Sequence, residues 1–281
     1  MSIKIMKYLL LLLFPFFSLF SCEKNSESET LLTSACELRT INFDTSLQKF
    51  YNININGNHI TQLTLATDTQ TKQVYEFNNL NQFIKREDFN NEDNLGATLV
   101  RTRWEHFYDQ TNNLIKIFQY NQNYSGGVAL GLSLANIDSF FYSSNNTAEI
   151  RHYTPFNGTN IFQGVSKFSW VNDDLITLKQ YRQNGQLYHS IDFTYDLTKE
   201  NKFDSICKNF YIQELFEYGH QMEGIRRSKH ILTSAKEEWV GNPPITRNYI
   251  TTFNSNGFVE SIQEKAYGLN YYIFRFGYLC G

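Results

Sequence analysis

Charge is scarce in this chain and has no excess of either sign. Only 19% of the 281 residues are charged, and 25 basic residues face 28 acidic ones. No basic stripe exists, which argues against a nucleic-acid partner. Proline is nearly absent, with four in the whole chain, and alanine-rich windows are few, so long helices are not expected. Several familiar chemistries are missing as well. There is no CxxC, no HExxH and no other close ligand pair among the six histidines, so neither zinc nor another metal is expected. Asp173-Asp174 reads as a turn rather than a calcium loop. No GxSxG elbow, GxxxxGK[ST] or GxGxxG occurs, which removes the common serine-hydrolase signature and the phosphate cradles, and no cofactor is expected.

Aromatics are abundant, at 16%, and the polarity comes from Asn, Gln, Ser and Thr. Aromatic and β-branched residues separated by Asn and Gly suit pleated strands joined by tight turns. Six stretches share one form: aromatic alternation, a polar turn, an aliphatic pair, then renewed alternation. They begin near Tyr51, Val74, Glu105, Lys167, Lys179 and Ile250. In the stretch from Lys179, the residues Tyr181, Leu187, Ile191, Phe193 and Tyr195 share odd positions and so one apolar face. The expectation is a mainly β fold: a large antiparallel meander of hairpins forming an extended or curled sheet, with at most one or two short helices. Residues 128–137 and 210–218 are the helix candidates, although period alone does not separate helix from strand at that length.

The N-terminus carries the clearest signal. Lys4 and Lys7 precede an uncharged apolar run at residues 8–20, which is too short to cross a bilayer comfortably and is interrupted by Pro15. The run ends in SLFSC, with Cys22 followed by a polar, acidic stretch. This resembles the lipobox of bacterial lipoproteins, with Phe20 departing from the small residue usual at that place. The resemblance implies cleavage before Cys22 and a diacylglycerol on its thiol, a lasting anchor once several acyl chains are present. Glu23, Glu27 and Glu29 resemble the acidic export tags of Bacteroidetes surface lipoproteins. The expected organisation is a signal peptide at 1–21, a lipidated tether at 22–38 and a single β-rich domain at 39–281.

The hairpin grammar resembles the YD-type repeats of Rhs-like proteins in diluted form. The whole layout is similar to the DUF4595-like lipoproteins of Bacteroidetes, with a late RRSKHILTS section from Arg226 and a closing aromatic strand at residues 271–278. That resemblance implies an antiparallel β architecture and no assigned activity. Cys36, Cys207 and Cys280 remain after Cys22. An odd number allows at most one bridge among them, and Cys36 with Cys280 is the pair that would tie the first segment to the last. The alternative is three reduced, buried thiols.

The expected role is therefore a non-enzymatic binding or structural β domain, lipid-anchored at the outer membrane on its periplasmic face or at the cell surface, with a glycan or a protein as ligand. The competing expectation is an extracytoplasmic hydrolase, such as a glycosidase, with paired carboxylates from distant strands. Glu237-Glu238-Trp239 is the most suggestive local group for it; read as plain structure, it is a strand with a solvent-facing acid and a buried tryptophan.

Overall fold

The computed structural model describes residues 36–44, 49–56, 59–89, 100–125, 128–144, 146–202, 228–267 and 269–280. The strands are β1 (Cys36–Asp44), β2 (Lys49–Asn56), β3 (His59–Leu65), β4 (Asp68–Phe77), β5 (Phe83–Phe89), β6 (Val100–Tyr108), β7 (Leu114–Ser125) and β8 (Val128–Ser144). They continue as β9 (Thr147–Phe156), β10 (Thr159–Val171), β11 (Asp174–Arg182), β12 (Leu187–Glu200), β13 (His230–Trp239), β14 (Ile245–Phe253), β15 (Val259–Ala266) and β16 (Leu269–Cys280). Each pairs antiparallel with its sequence neighbour, and β1 pairs with β16, closing a barrel of 16 strands. The expected meander is thus present, and it is closed rather than extended. Closure leaves no edge strand to pair with another chain. No helix occurs among the described residues: residues 128–137 lie in β8, and 210–218 fall outside the described part. The barrel starts at Cys36, three residues before the expected boundary at 39, and Leu38 is fully buried in it.

The repeated grammar has a physical basis at one end of the barrel, here called the lower end. Three turns there open with an Asx residue after an aromatic. Asn78 Oδ1 accepts the backbone N–H groups of Leu80 and Gln82 at 2.9 and 3.0 Å. Asp109 Oδ1 takes those of Thr111 and Asn113 at 2.8 and 2.9 Å, and Asn254 those of Asn256 and Phe258 at 3.0 Å. The backbone hydrogen bonds from Asn113 and the hydroxyl of Thr111 hold the Asp109 carboxyl below its usual range. The fourth residue of each turn, Asn81, Asn112 or Gly257, is left-handed, which Asn and Gly tolerate best. This is a three-residue hairpin loop with its bulge.

A tyrosine then latches the strand that follows a lower turn. Tyr108 donates to Phe83 O at 2.7 Å, Tyr142 to Leu114 O at 3.0 Å, Tyr195 to Leu175 O at 2.7 Å and Tyr278 to Val259 O at 2.6 Å. In every case the hydroxyl comes from the next strand along the barrel wall.

Side chains alternate across the wall, and the buried set points inward. Phe168, Phe274, Leu38, Ile41, Leu178 and Ile191 are nearly inaccessible and belong to one apolar cluster filling the lower half. The outer wall carries charged pairs. Lys167 and Lys179 stand opposite each other on β10 and β11, and Asp192 opposes Lys236 on β12 and β13. All four are exposed. The half-buried Tyr181 joins this outer wall, with the Lys167 ammonium 5.3 Å from its ring. That corrects the expected face: the register shifts between Gln180 and Tyr181, so Tyr181 leaves the side on which Ile191 and Phe193 are buried.

Candidate functional site

In the upper half the inward positions change character. Each of eight consecutive strands places one polar side chain at about the same level, and these form a continuous hydrogen-bonded belt. Asp138 (β8) meets His152 Nδ1 (β9) at 2.7 Å, and His152 Nε2 meets Ser166 Oγ (β10) at 2.8 Å. Gln180 (β11) donates to Ser166 Oγ at 3.2 Å and contacts His189 Nδ1 (β12) at 2.7 Å. His189 Nε2 lies 3.0 Å from Glu237 Oε1 (β13). Arg247 (β14) closes the series, bridging Glu237 at 3.2 Å and Glu264 (β15) at 2.7 Å.

Such groups tolerate burial only when paired. Ser166, Gln180, His189, Glu237 and Glu264 are all at most 3% exposed, so the belt is an interior feature rather than a rinsed channel lining. Register explains the level: Asp138 opposes His152, Gln180 neighbours His189 across the β11–β12 hairpin, and Tyr249 opposes Glu264. At the bulge after Phe162, Gly164 opposes His152. A Cβ on Gly164 would overlap the carbonyl oxygen of Tyr181, so glycine is required for β10 and β11 to approach there.

Asp138, His152 and Ser166 have the connectivity of a hydrolytic triad, which geometry rather than sequence order identifies. Ser166 is 0% exposed and also carries the Gln180 amide, so its oxygen has no face open to a substrate carbonyl. Here the three residues act as the first links of the belt.

Beyond Asp138 the polar level continues along β5 to β8 and opens into a chamber of about 480 Å³. Its walls carry the carboxylates of Asp88 and Asp138, the Thr102 hydroxyl, the Gln119 and Asn136 amides, and an apolar strip of Trp104 and Ile117. The volume is within the usual range of small-molecule sites, roughly 300–1,000 Å³. Each acid already has a partner. Arg86 grips Asp88 through two hydrogen bonds of 2.8 and 2.9 Å and lies 4.5 Å from the Trp104 ring, while His152 faces Asp138. The amides are pre-aligned, since Asn136 donates to Gln119 Oε1 at 2.9 Å and Gln119 to Asn121 at 3.2 Å.

Below the chamber, His106 is buried against Phe83, with ring centroids 4.4 Å apart. Burial, reinforced by the Arg86 charge, lowers its pKa to about 3, so it is neutral at physiological pH. Tyr195, half-buried at the lower end, has its phenol pushed up by the same desolvation.

The sequence-derived candidates fare unevenly. Cys22 and Cys207 lie outside the described residues. The backbones of Cys36 and Cys280 are register partners at the seam that closes the barrel. In the Glu237-Glu238-Trp239 group the solvent-facing acid is Glu238, paired with Lys236, but the expected burial of the tryptophan is not found. Glu237 is inside and 3% exposed, whereas Trp239 is 39% exposed and donates Nε1 to Glu237 at 2.7 Å. Asp173 sits in a left-handed turn with Asn172, while Asp174 accepts from the backbone and ring of His230 at 2.8 and 2.7 Å. Among the described residues no three His, Cys, Asp or Glu side chains converge as metal ligands. The belt itself was missed. Its signal was a polar residue in step with apolar ones: His189 with Ile191, Ser166 with Phe168, Glu264 with Ile262.

No protein-family model matches the chain, and no curated protein matches it. Among solved structures, a porin-like protein from Bacteroides vulgatus overlays with a TM-score of 0.52 at 9% identity, covering 86% of this chain and 98% of that one. A porin-like protein from Bacteroides uniformis covers 87% and 98%, at 10% identity and a TM-score of 0.29. Of these two, the first supports a shared barrel fold, and at that identity it speaks to fold alone.

Proposed function

We propose that this chain is an outer-membrane-associated lipoprotein, anchored through Cys22, whose barrel stands in water as a non-enzymatic binding module. One observation carries the reading: charged side chains stand on the outside of the wall, and an apolar cluster fills the lower interior. A barrel that spans lipid shows the opposite arrangement, and a Lys facing the bilayer centre costs about 2–4 kcal/mol. Here Lys167, Lys179 and Lys236 occupy the middle of outward faces, and Phe168, Leu178 and Ile191 fill the interior. The lipobox-like SLFSC motif supports the anchor. The acidic residues after Cys22 support export to the surface rather than retention on the periplasmic face. The aromatic–Asx pairs at the lower turns support kinship with the DUF4595-like lipoproteins.

Fatty-acid labelling in the native bacterium, comparing wild type with Cys22→Ala, tests the anchor, and protease added to intact cells tests the side. Label that persists without Cys22 overturns the lipoprotein reading. The Cys22→Ala protein should remain soluble and β-rich without detergent; a need for detergent, or conductance in a planar bilayer, overturns the water-facing barrel.

The seam invites a second element of the same proposal, a disulfide between Cys36 and Cys280. Directly opposed residues of antiparallel strands have Cα atoms about 4.5–5.5 Å apart, inside the disulfide span of roughly 4.4–6.8 Å. The two thiols would give up two electrons and two protons to a thiol–disulfide oxidant of the envelope. Intact mass before and after reduction and alkylation tests it: two free thiols at these positions in native protein overturn it.

A hydrolase draws on a different observation, the presence of Asp88 and Asp138 in one chamber. Release of reducing ends from an oligosaccharide, abolished by Asp138→Asn, would establish that reading in place of the binding one.

A further inference from the structure

The chamber bounded by β5 to β8 has a chemistry that selects among ligands, and we infer that it takes a neutral, hydroxyl-rich molecule of sugar size. This rests on the water-facing reading above, because such a ligand must reach the barrel from aqueous solution. The polar wall is rich in acceptors. Asp138 Oδ1 is engaged by His152, and the carboxylate, which lines the chamber, has a second oxygen able to accept. The Asn136 carbonyl oxygen has one long contact, 3.5 Å from Thr154 Oγ1. Thr102 adds a hydroxyl that both donates and accepts. Among the described residues, no lysine or arginine lines the space.

Charge then decides between two donor-rich classes of ligand. An ammonium compound is held best by several free carboxylates, but Arg86 already neutralises Asp88 and one oxygen of Asp138 is taken up by the His152 ring. Neutral hydroxyls ask only for lone pairs, which carboxylates and amides supply whether or not their charge is balanced. The same stretch of wall carries apolar surface beside the polar groups. Trp104 is the register partner of Gln119 and Ile117 that of Asp138, so a pyranose can lay its C–H face on the apolar pair and turn its hydroxyl rim to the amides next to it. The Gln119–Asn136 bond and the Arg86 stack hold their side chains before any ligand arrives, which reduces the ordering cost of binding.

The test is calorimetric titration of the lipid-free Cys22→Ala protein with glucose, galactose, mannose, N-acetylglucosamine and their common disaccharides, with choline and inorganic phosphate as charged controls. At least one neutral sugar should bind at one site per chain, with a change in tryptophan emission. Thr102→Val and Gln119→Leu should each weaken it roughly ten-fold, one lost hydrogen bond apiece, while thermal melting shows that both variants remain folded. Gln163→Leu, outside the chamber, should bind as wild type does. A folded, soluble protein that binds none of the sugars overturns the inference and leaves the water-facing barrel standing; so does binding of choline or phosphate alone. Sugar binding that neither chamber variant weakens also overturns it. Protein that folds only in detergent overturns the water-facing reading, and this inference falls with it.

Discussion

The lower and upper halves of the barrel are made from the same strands, and they fill the same interior in opposite ways. Below, Phe168, Leu178, Ile191 and Phe274 pack as an apolar plug. Above, at positions of the same inward parity, stand Ser166, Gln180, His189 and Glu237, each bonded to its neighbour. A strand such as β12 switches within two residues, from His189 to Ile191. An apolar plug gains stability from any close packing and asks little of direction, whereas a polar belt is tolerated only when every donor meets an acceptor. The lower half therefore holds the barrel shut, and the upper half leaves room for a chamber.

The largest test of that contrast is Phe168→Ala, which empties the plug beside Trp170 and should cost about 3–5 kcal/mol in chemical denaturation. An effect under about 1 kcal/mol would mean that the lower half is loosely filled. Next comes acid. His106 has a folded pKa near 3 against 6.5 for the free group. Between those values the unfolded chain binds a proton that the folded one refuses. Stability should therefore fall as pH drops from 6.5 toward 3, by up to about 1.4 kcal/mol per pH unit from this group. His106→Gln should show a shallower acid slope than wild type over that window, and identical slopes would refute a buried neutral imidazole.

Glu237→Gln keeps the shape of the belt but removes the charge that receives Arg247 and Trp239. A loss of about 1.5–3 kcal/mol is expected, since hydrogen bonds to charged groups are the stronger ones. A neutral or stabilising result would show that the belt survives at its own expense, as some buried ion pairs do. Asn254→Ala removes two turn hydrogen bonds at the lower rim and should cost about 1 kcal/mol by thermal melting. The smallest expected effect is none: a fluorophosphonate probe should leave Ser166 unmodified by mass spectrometry. Labelling would show that the belt opens and that its first three members work as a hydrolytic triad.

Much of the lower end was legible. Tyr108-Asp109 and Phe253-Asn254 mark turns through local hydrogen bonds that need only a few residues of chain, so the hairpins follow from sequence. The inward face of β12 was legible for Ile191 and Phe193, but Tyr181 was misassigned because a one-residue bulge flips every later side chain. Trp239 was read as buried, and Glu237 went unrecognised as an interior group, since an acid inside a barrel looks like an error until Arg247, ten residues on, is seen to meet it.

By itself the sequence determined a fold of antiparallel hairpins and the chemistry of the turns, because these depend on neighbours along the chain; the lipobox-like Cys22 it offers is an expectation. Tertiary structure alone decided that β1 meets β16, with the backbones of Cys36 and Cys280 in register at the seam, and that polar residues from eight strands share one level. Those facts depend on strand register summed around a closed wall, and no local stretch of residues encodes that sum.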